Sequence, residues 1–173
     1  MSKLGVNVQV LPGGEIYLSL ERGALDAAEW VGPYDDLKLG LNKAASYYYY
    51  PGWWEPGPTF EVQINKSKWD KLPVEYQEIF KTAAMEVNLN MLSKYDALNR
   101  EALKTLIDTG TKLTPYPPEV LQAAQKAAQE YYQSESAKSP TFKKVYEQWD
   151  KFRTEVSEWN KINELSYSSF VNK

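Results

Sequence analysis

From Pro73 to Gly110 the sequence carries one long helical stripe, and that stripe limits the folds open to this chain more than any other feature. Tyr76, Phe80, Ala83, Ala84, Val87, Met91, Tyr95, Leu98, Ala102 and Leu106 recur at the helical period. Proline suits a first helical turn, and glycine is a natural stop. At roughly 1.5 Å per residue such a helix is about 54 Å long. That exceeds the width of a domain of ordinary size. The helix therefore has to run past the edge of one lobe or serve a second.

The rest of the chain reads as shorter alternating elements. Asn7 to Leu11, with Val6, Val8 and Val10 on one face, predicts a strand that Pro12-Gly13-Gly14 breaks. Glu15 to Arg22 predicts a short helix that Gly23 ends, and Ala24 to Trp30 a second strand. Strand, helix and strand in close succession suggest a βαβ unit with parallel strands, whose ligands collect beyond the carboxyl ends. Pro33 to Ala45 reads as a helix interrupted at Gly40. Tyr47 to Tyr50 follows as an aromatic strand, residues 51–58 as a Pro/Gly loop, and Thr59 to Asn65 as another strand. After the long helix come a brief strand at Lys112 to Tyr116, a helix at Glu119 to Ser136, and a helix capped by Ser139-Pro140. Phe142, Val145, Tyr146, Trp149, Phe152, Val156 and Trp159 lie on one face of the last. The tail to Lys173 reads as helical and frayed. We divide the chain into an α/β segment with ligand loops (1–65), the long helix (66–111) and a carboxy-terminal strand with helices (112–173).

Composition removes whole classes of chemistry. The 173 residues contain no cysteine and no histidine. Cys/His zinc sites, cysteine nucleophiles and Ser-His-Asp triads are impossible within such a chain. Any metal would be a hard cation held by oxygen atoms. A net charge of −3, from 20 basic and 23 acidic residues, offers no field for nucleic acid and no polybasic patch for a membrane. The start, Met1-Ser2-Lys3-Leu4-Gly5-Val6, lacks the apolar run of a signal peptide. By itself this reads as a soluble cytoplasmic chain. Aromatics are abundant at 14% and are concentrated between Tyr47 and Trp54.

Four polar or aromatic features fall at expected strand ends: Glu29-Trp30, Tyr34-Asp35-Asp36, Trp53-Trp54-Glu55 and Asn65. Aromatic rings make rigid walls for a small ligand. Carboxylates among them could hold sodium or calcium, and the cation could bridge to an anionic ligand. Each feature also has a plainer reading. Glu29 can be a solvated charge or a cap. Asp35-Asp36 can be favourable charges at a helix start. Tyr47 to Tyr50 can be core, whereas Trp53 and Trp54 in a Pro/Gly loop are harder to explain that way.

Three motifs in order resemble one family. They are Leu11-Pro12-Gly13-Gly14-Glu15-Ile16-Tyr17, then Leu20 to Tyr34 with Asp26-Ala27-Ala28-Glu29-Trp30-Val31-Gly32-Pro33-Tyr34 at its end, then Tyr48 to Gly57 with Pro51-Gly52-Trp53-Trp54-Glu55. Together they resemble the DctP-type solute receptors of TRAP transporters, in the branch that binds 2-oxo acids and related small carboxylates. The likeness continues through Trp69, Leu72-Pro73, Tyr95-Asp96 and Asn99, almost to the carboxy end.

The resemblance implies an α/β, type II periplasmic-binding-protein-like fold: two lobes with a mixed sheet, flanking helices and one long lobe-spanning helix. It implies a non-catalytic periplasmic receptor that closes on a small organic acid such as pyruvate, with a bridging cation. That cation would be sodium, with calcium as the alternative. Glu29 would give the cation a carboxylate, Trp30 its main-chain oxygen, and Glu55 a second carboxylate. Trp30, Trp53, Trp54 and Tyr34 would line the ligand. The partners implied are the membrane subunits of the transporter, and a second copy in members that dimerise through carboxy-terminal helices. One departure is large. The family's amino-terminal lobe has no counterpart here, and neither has the arginine that clamps the ligand carboxylate; Arg22, Arg100 and Arg153 do not stand at its position. The chain is expected to be a carboxy-terminal fragment with a weakened half-site. Two alternatives are an assembly module that self-associates through exposed Trp-rich helices, and a glycosidase using Glu29 and Glu55 with the tryptophans as a sugar platform.

Overall fold

The computed structural model describes residues 1–55, 57 and 60–172. They separate into two units: Met1–Val8 with Pro117–Lys173, and Gln9–Tyr116.

The second unit begins with helix α1 (Gly13–Glu21), which buries Ile16 and has Glu15 in its first turn. Gly23, at φ 70°, ends it in the left-handed region, where a side chain would be strained. Helix α2 (Pro33–Leu39) opens on proline and stops at Gly40, φ 70°, where α3 (Leu41–Ala44) starts. Strand β1 (Tyr47–Tyr50) leads through the loop to α4 (Lys66–Trp69) and then α5 (Val74–Asp108). The chain returns as β2 (Lys112–Pro115), parallel to β1 in the register Tyr47–Lys112 to Tyr50–Pro115. Main-chain bonds extend the pair at both ends, Lys112 N to Ser46 O at 2.8 Å and Tyr116 N to Tyr50 O at 2.8 Å. Parallel strands need a long crossover, and here α4 and α5 supply it.

The helix expected after Pro73 is therefore present, 35 residues long. Its stripe is buried only towards its carboxyl end, where Ala102 and Leu106 are covered. Tyr76, Phe80 and Val87, all on the predicted stripe, remain 57%, 49% and 58% exposed.

Three predicted strands do not form. Asn7 to Leu11 and Ala24 to Trp30 lie outside regular structure, as do the described residues of 59–65. Thr59 itself, like Pro56 and Pro58 of the predicted loop and Lys173 of the tail, lies outside the described residues. Alternation marks a face, but a strand also needs a hydrogen-bonding neighbour, and the parallel pair is the only sheet among the described residues. Val10 is 95% exposed and Phe60 72%. The amides of Ala24 and Leu25 are both taken up by the Ser19 carbonyl, at 2.9 and 3.1 Å, as the chain leaves α1. The expected βαβ unit is thus replaced by one built on β1 and β2.

In the first unit a 3-10 turn at Ser2–Leu4 accompanies two long helices, α6 (Pro118–Lys138) and α7 (Pro140–Asn160). Ser139 joins them, and its hydroxyl accepts a bond from Phe142 N at 3.2 Å, as its capping role predicts. Tyr132 of α6 stacks on Tyr146 of α7 with ring centres 5.0 Å apart. A π-helical turn (Lys161–Leu165) runs on into α8 (Ser166–Val171).

Candidate functional site

Glu29 and Trp30 sit in the irregular segment between α1 and α2, and both are exposed. Burial of part of its side chain pushes the Glu29 carboxyl above the ordinary range, and the nearby charges of Glu55 and Asp36 push it the same way. A hydrogen bond from the Trp54 side chain acts in the opposite direction. Glu29 therefore lies within electrostatic reach of the Trp53-Trp54-Glu55 loop. The fold brings together two segments that the sequence separates by more than twenty residues.

Trp53 and Trp54 meet edge to face with ring centres 4.9 Å apart, and Trp54 also approaches Tyr116 at 6.3 Å. Trp53 is half-buried, and its indole nitrogen is buried without a hydrogen-bond partner. An unsatisfied buried donor of this kind has lost its solvation with no return. Tyr34 is engaged elsewhere. Its ring meets Tyr95 of α5 edge to face at 6.0 Å, and the Lys38 ammonium lies over it at 4.1 Å. The Lys38 Nζ also donates to the Tyr34 hydroxyl at 2.6 Å.

The residues spacing singled out are supported by others it passed over. Asp36 is a plain first-turn acid by position, yet it is buried. Tyr48 of β1 donates its hydroxyl to Asp36 Oδ2 at 2.5 Å, while Oδ1 is buried without a partner. Burial raises the Asp36 carboxyl above its usual range, against the lowering effect of Tyr48, and burial likewise raises the Tyr48 phenol. Tyr48 is the half-buried member of its strand; Tyr47, Tyr49 and Tyr50 are 54%, 48% and 44% exposed, so the run is mostly not core. Asn99 of α5 accepts from Tyr34 N at 2.9 Å and so caps α2 from 65 residues away. Asn65 caps α4 by accepting from Lys68 N at 3.2 Å, which explains it without a ligand.

Among the described residues no three Asp, Glu, His or Cys side chains gather closely enough to hold a metal ion. Two carboxylates and a main-chain oxygen make a partial set for a hard cation that takes six or more oxygens. Such a cation fits only if a ligand or water completes its shell. The repulsion that Glu55 and Asp36 exert on Glu29 is what a bound cation would relieve.

Residues 1–139 match the family of bacterial extracellular solute-binding proteins, family 7 (DctP), and the chain belongs to that family. It is 64% identical over 171 residues to the monocarboxylate 2-oxoacid-binding periplasmic protein of Nostoc sp., covering 99% of this chain and 47% of that protein. A TRAP transporter solute-binding protein from Bordetella bronchiseptica, crystallised as a mixed-occupancy dimer with copurified calcium and picolinate, superposes with a TM-score of 0.94 and 44% identity, covering 98% of this chain and 50% of that one. One from Pseudoalteromonas atlantica with bound sodium and pyruvate gives a TM-score of 0.88 and 32% identity, over 97% and 51%. The chain thus spans about half the length of the relatives it matches. The family is one of solute-binding proteins, which sets the glycosidase reading aside.

Proposed function

We propose that the chain contributes the Glu29–Trp30 side of a receptor site for a small 2-oxo acid such as pyruvate, with a sodium or calcium ion bridging protein and ligand. The carrying observation is the partly buried Glu29, whose carboxyl is raised by burial and lies within electrostatic reach of Glu55 and Asp36. Glu29 and Glu55 supply carboxylate oxygens and Trp30 its carbonyl. Trp30, Trp53 and Trp54 supply the walls, and Tyr34 ties the turn after Trp30 to α5. The relatives' ligands, pyruvate with sodium and picolinate with calcium, suit a carboxylate that shares a cation. By the same analogy the protein works in the periplasm and passes its ligand to membrane subunits. The bare stripe on the first half of α5 supports a second lobe packed there.

Calorimetry with pyruvate in sodium, calcium and choline buffers tests this reading. The chain is expected to bind weakly, at about millimolar Kd. Affinity should depend on sodium or calcium and fall in Glu29→Gln and Glu55→Gln. Binding that ignores the cation would sink the bridge.

A second reading concerns assembly. Val145, Trp149, Phe152 and Trp159 of α7 are 64%, 47%, 65% and 60% exposed. With Tyr132, Phe142 and Tyr146, the first two line an apolar cleft of about 210 Å³. A face of this kind suits a second copy of the chain.

A further inference from the structure

Gly13 and Gly14 stand side by side at the start of α1, and neither has the positive φ that makes glycine necessary. On backbone grounds alanine would suit both positions and would strengthen the helix. Their surroundings differ completely. A Cβ on Gly14 would meet nothing within 4 Å. A Cβ on Gly13 would lie 2.5 Å from Cη2 of Trp30, 3.1 Å from Cζ3 and 3.2 Å from Cζ2. The six-membered edge of the Trp30 indole therefore rests on a bare Cα. The atom beneath it belongs to the helix backbone, so the ring is what has to yield.

We infer that Gly13 is a positioning residue for the pocket: having no side chain, it seats the Trp30 indole and sets where that wall stands. This rests on the proposed role of Trp30 and adds the residue that determines its placement. A methyl at position 13 displaces the ring, and with it the wall and the main-chain segment on which the Trp30 carbonyl lies. A larger residue does so further. Residue 13 thereby selects among small acids without being required to touch them, since one methylene of misfit changes affinity by about tenfold or more.

The test uses the full chain labelled with 5-fluorotryptophan, with the Trp30 resonance assigned by its loss in Trp30→Phe. Gly13→Ala is expected to move that resonance by more than its linewidth, and Gly14→Ala to leave it in place. Thermal midpoints supply a second readout. Gly13→Ala should lower the midpoint when residue 30 is tryptophan and raise it when residue 30 is phenylalanine, whose ring ends short of the clash. A purely helical effect would have the same sign in both backgrounds. Pyruvate affinity should fall about tenfold in Gly13→Ala and stay unchanged in Gly14→Ala. An unmoved Trp30 resonance with no sign reversal overturns the inference. Should the parent chain fail to bind pyruvate, the receptor reading fails, while the resonance and the midpoints still decide the placement of Trp30.

Discussion

At the scale of single residues, the Asp36–Tyr48 pair states most clearly what holds the candidate site in place. A buried carboxylate is costly unless it is bonded, and here the Tyr48 hydroxyl donates to it at 2.5 Å. Tyr48→Phe removes that donor and keeps the ring. It should destabilise the chain by about 1–3 kcal/mol in urea denaturation. Asp36 also gives the chain a pH signature. Burial raises its folded-state pKa above the unfolded value. Its contribution to stability is then fully present below the unfolded pKa and is lost as pH rises through the raised folded pKa. The stability difference between the parent chain and Asp36→Asn should shrink or reverse as pH climbs from below the carboxylate range towards neutrality. Urea midpoints across that range check this; a pH-independent difference would contradict it.

Among the elements, helix α2 shows how a local signal and a distant one combine. Pro33 at its first position and Gly40 at its end were legible in the sequence, and they bound the helix as expected. Its amino end carries no side-chain cap of its own, because Gly32 occupies that place. Asn99 supplies the acceptor from the last third of α5. Asn99→Ala should therefore cost about 1 kcal/mol, as the loss of a helix cap does, and should loosen the turn that follows Trp30. Amide exchange at Tyr34 would report it directly, by faster exchange in the variant. The predicted strands failed at this same scale. Val6, Val8 and Val10 alternate as well as any strand residues, but their backbone groups have no neighbouring strand. Tyr47 to Tyr50 succeeded because Lys112 to Pro115 returns alongside.

Across the whole molecule, apolar surface is distributed unevenly within each unit. In the second unit the early turns of α5 are bare, with Val74, Ile79 and Met85 at 67%, 62% and 68% exposure. In the first unit Val145, Phe152 and Trp159 of α7 are likewise exposed. Exposed apolar patches of this extent drive association. The chain should therefore sediment as a dimer or larger species at micromolar concentration, and Trp149→Lys with Phe152→Lys should shift it towards monomer. A monomer in the parent would count against a self-associating α7. No helix among the described residues is long and apolar enough to cross a membrane.

By itself the sequence determined the longer helices, their proline starts and glycine stops, the exclusion of cysteine and histidine chemistry, and, through its motifs, the family. These are local properties, decided by the spacing and type of neighbouring residues. The tertiary structure decided which alternating segment found a strand partner, that Asp36 rather than a tyrosine run would be buried, that Asn99 would cap α2, and that Gly13 would lie beneath Trp30. Each of these is a property of pairs far apart in the chain. Periodicity records which way a side chain faces; only the folded chain settles what stands opposite it.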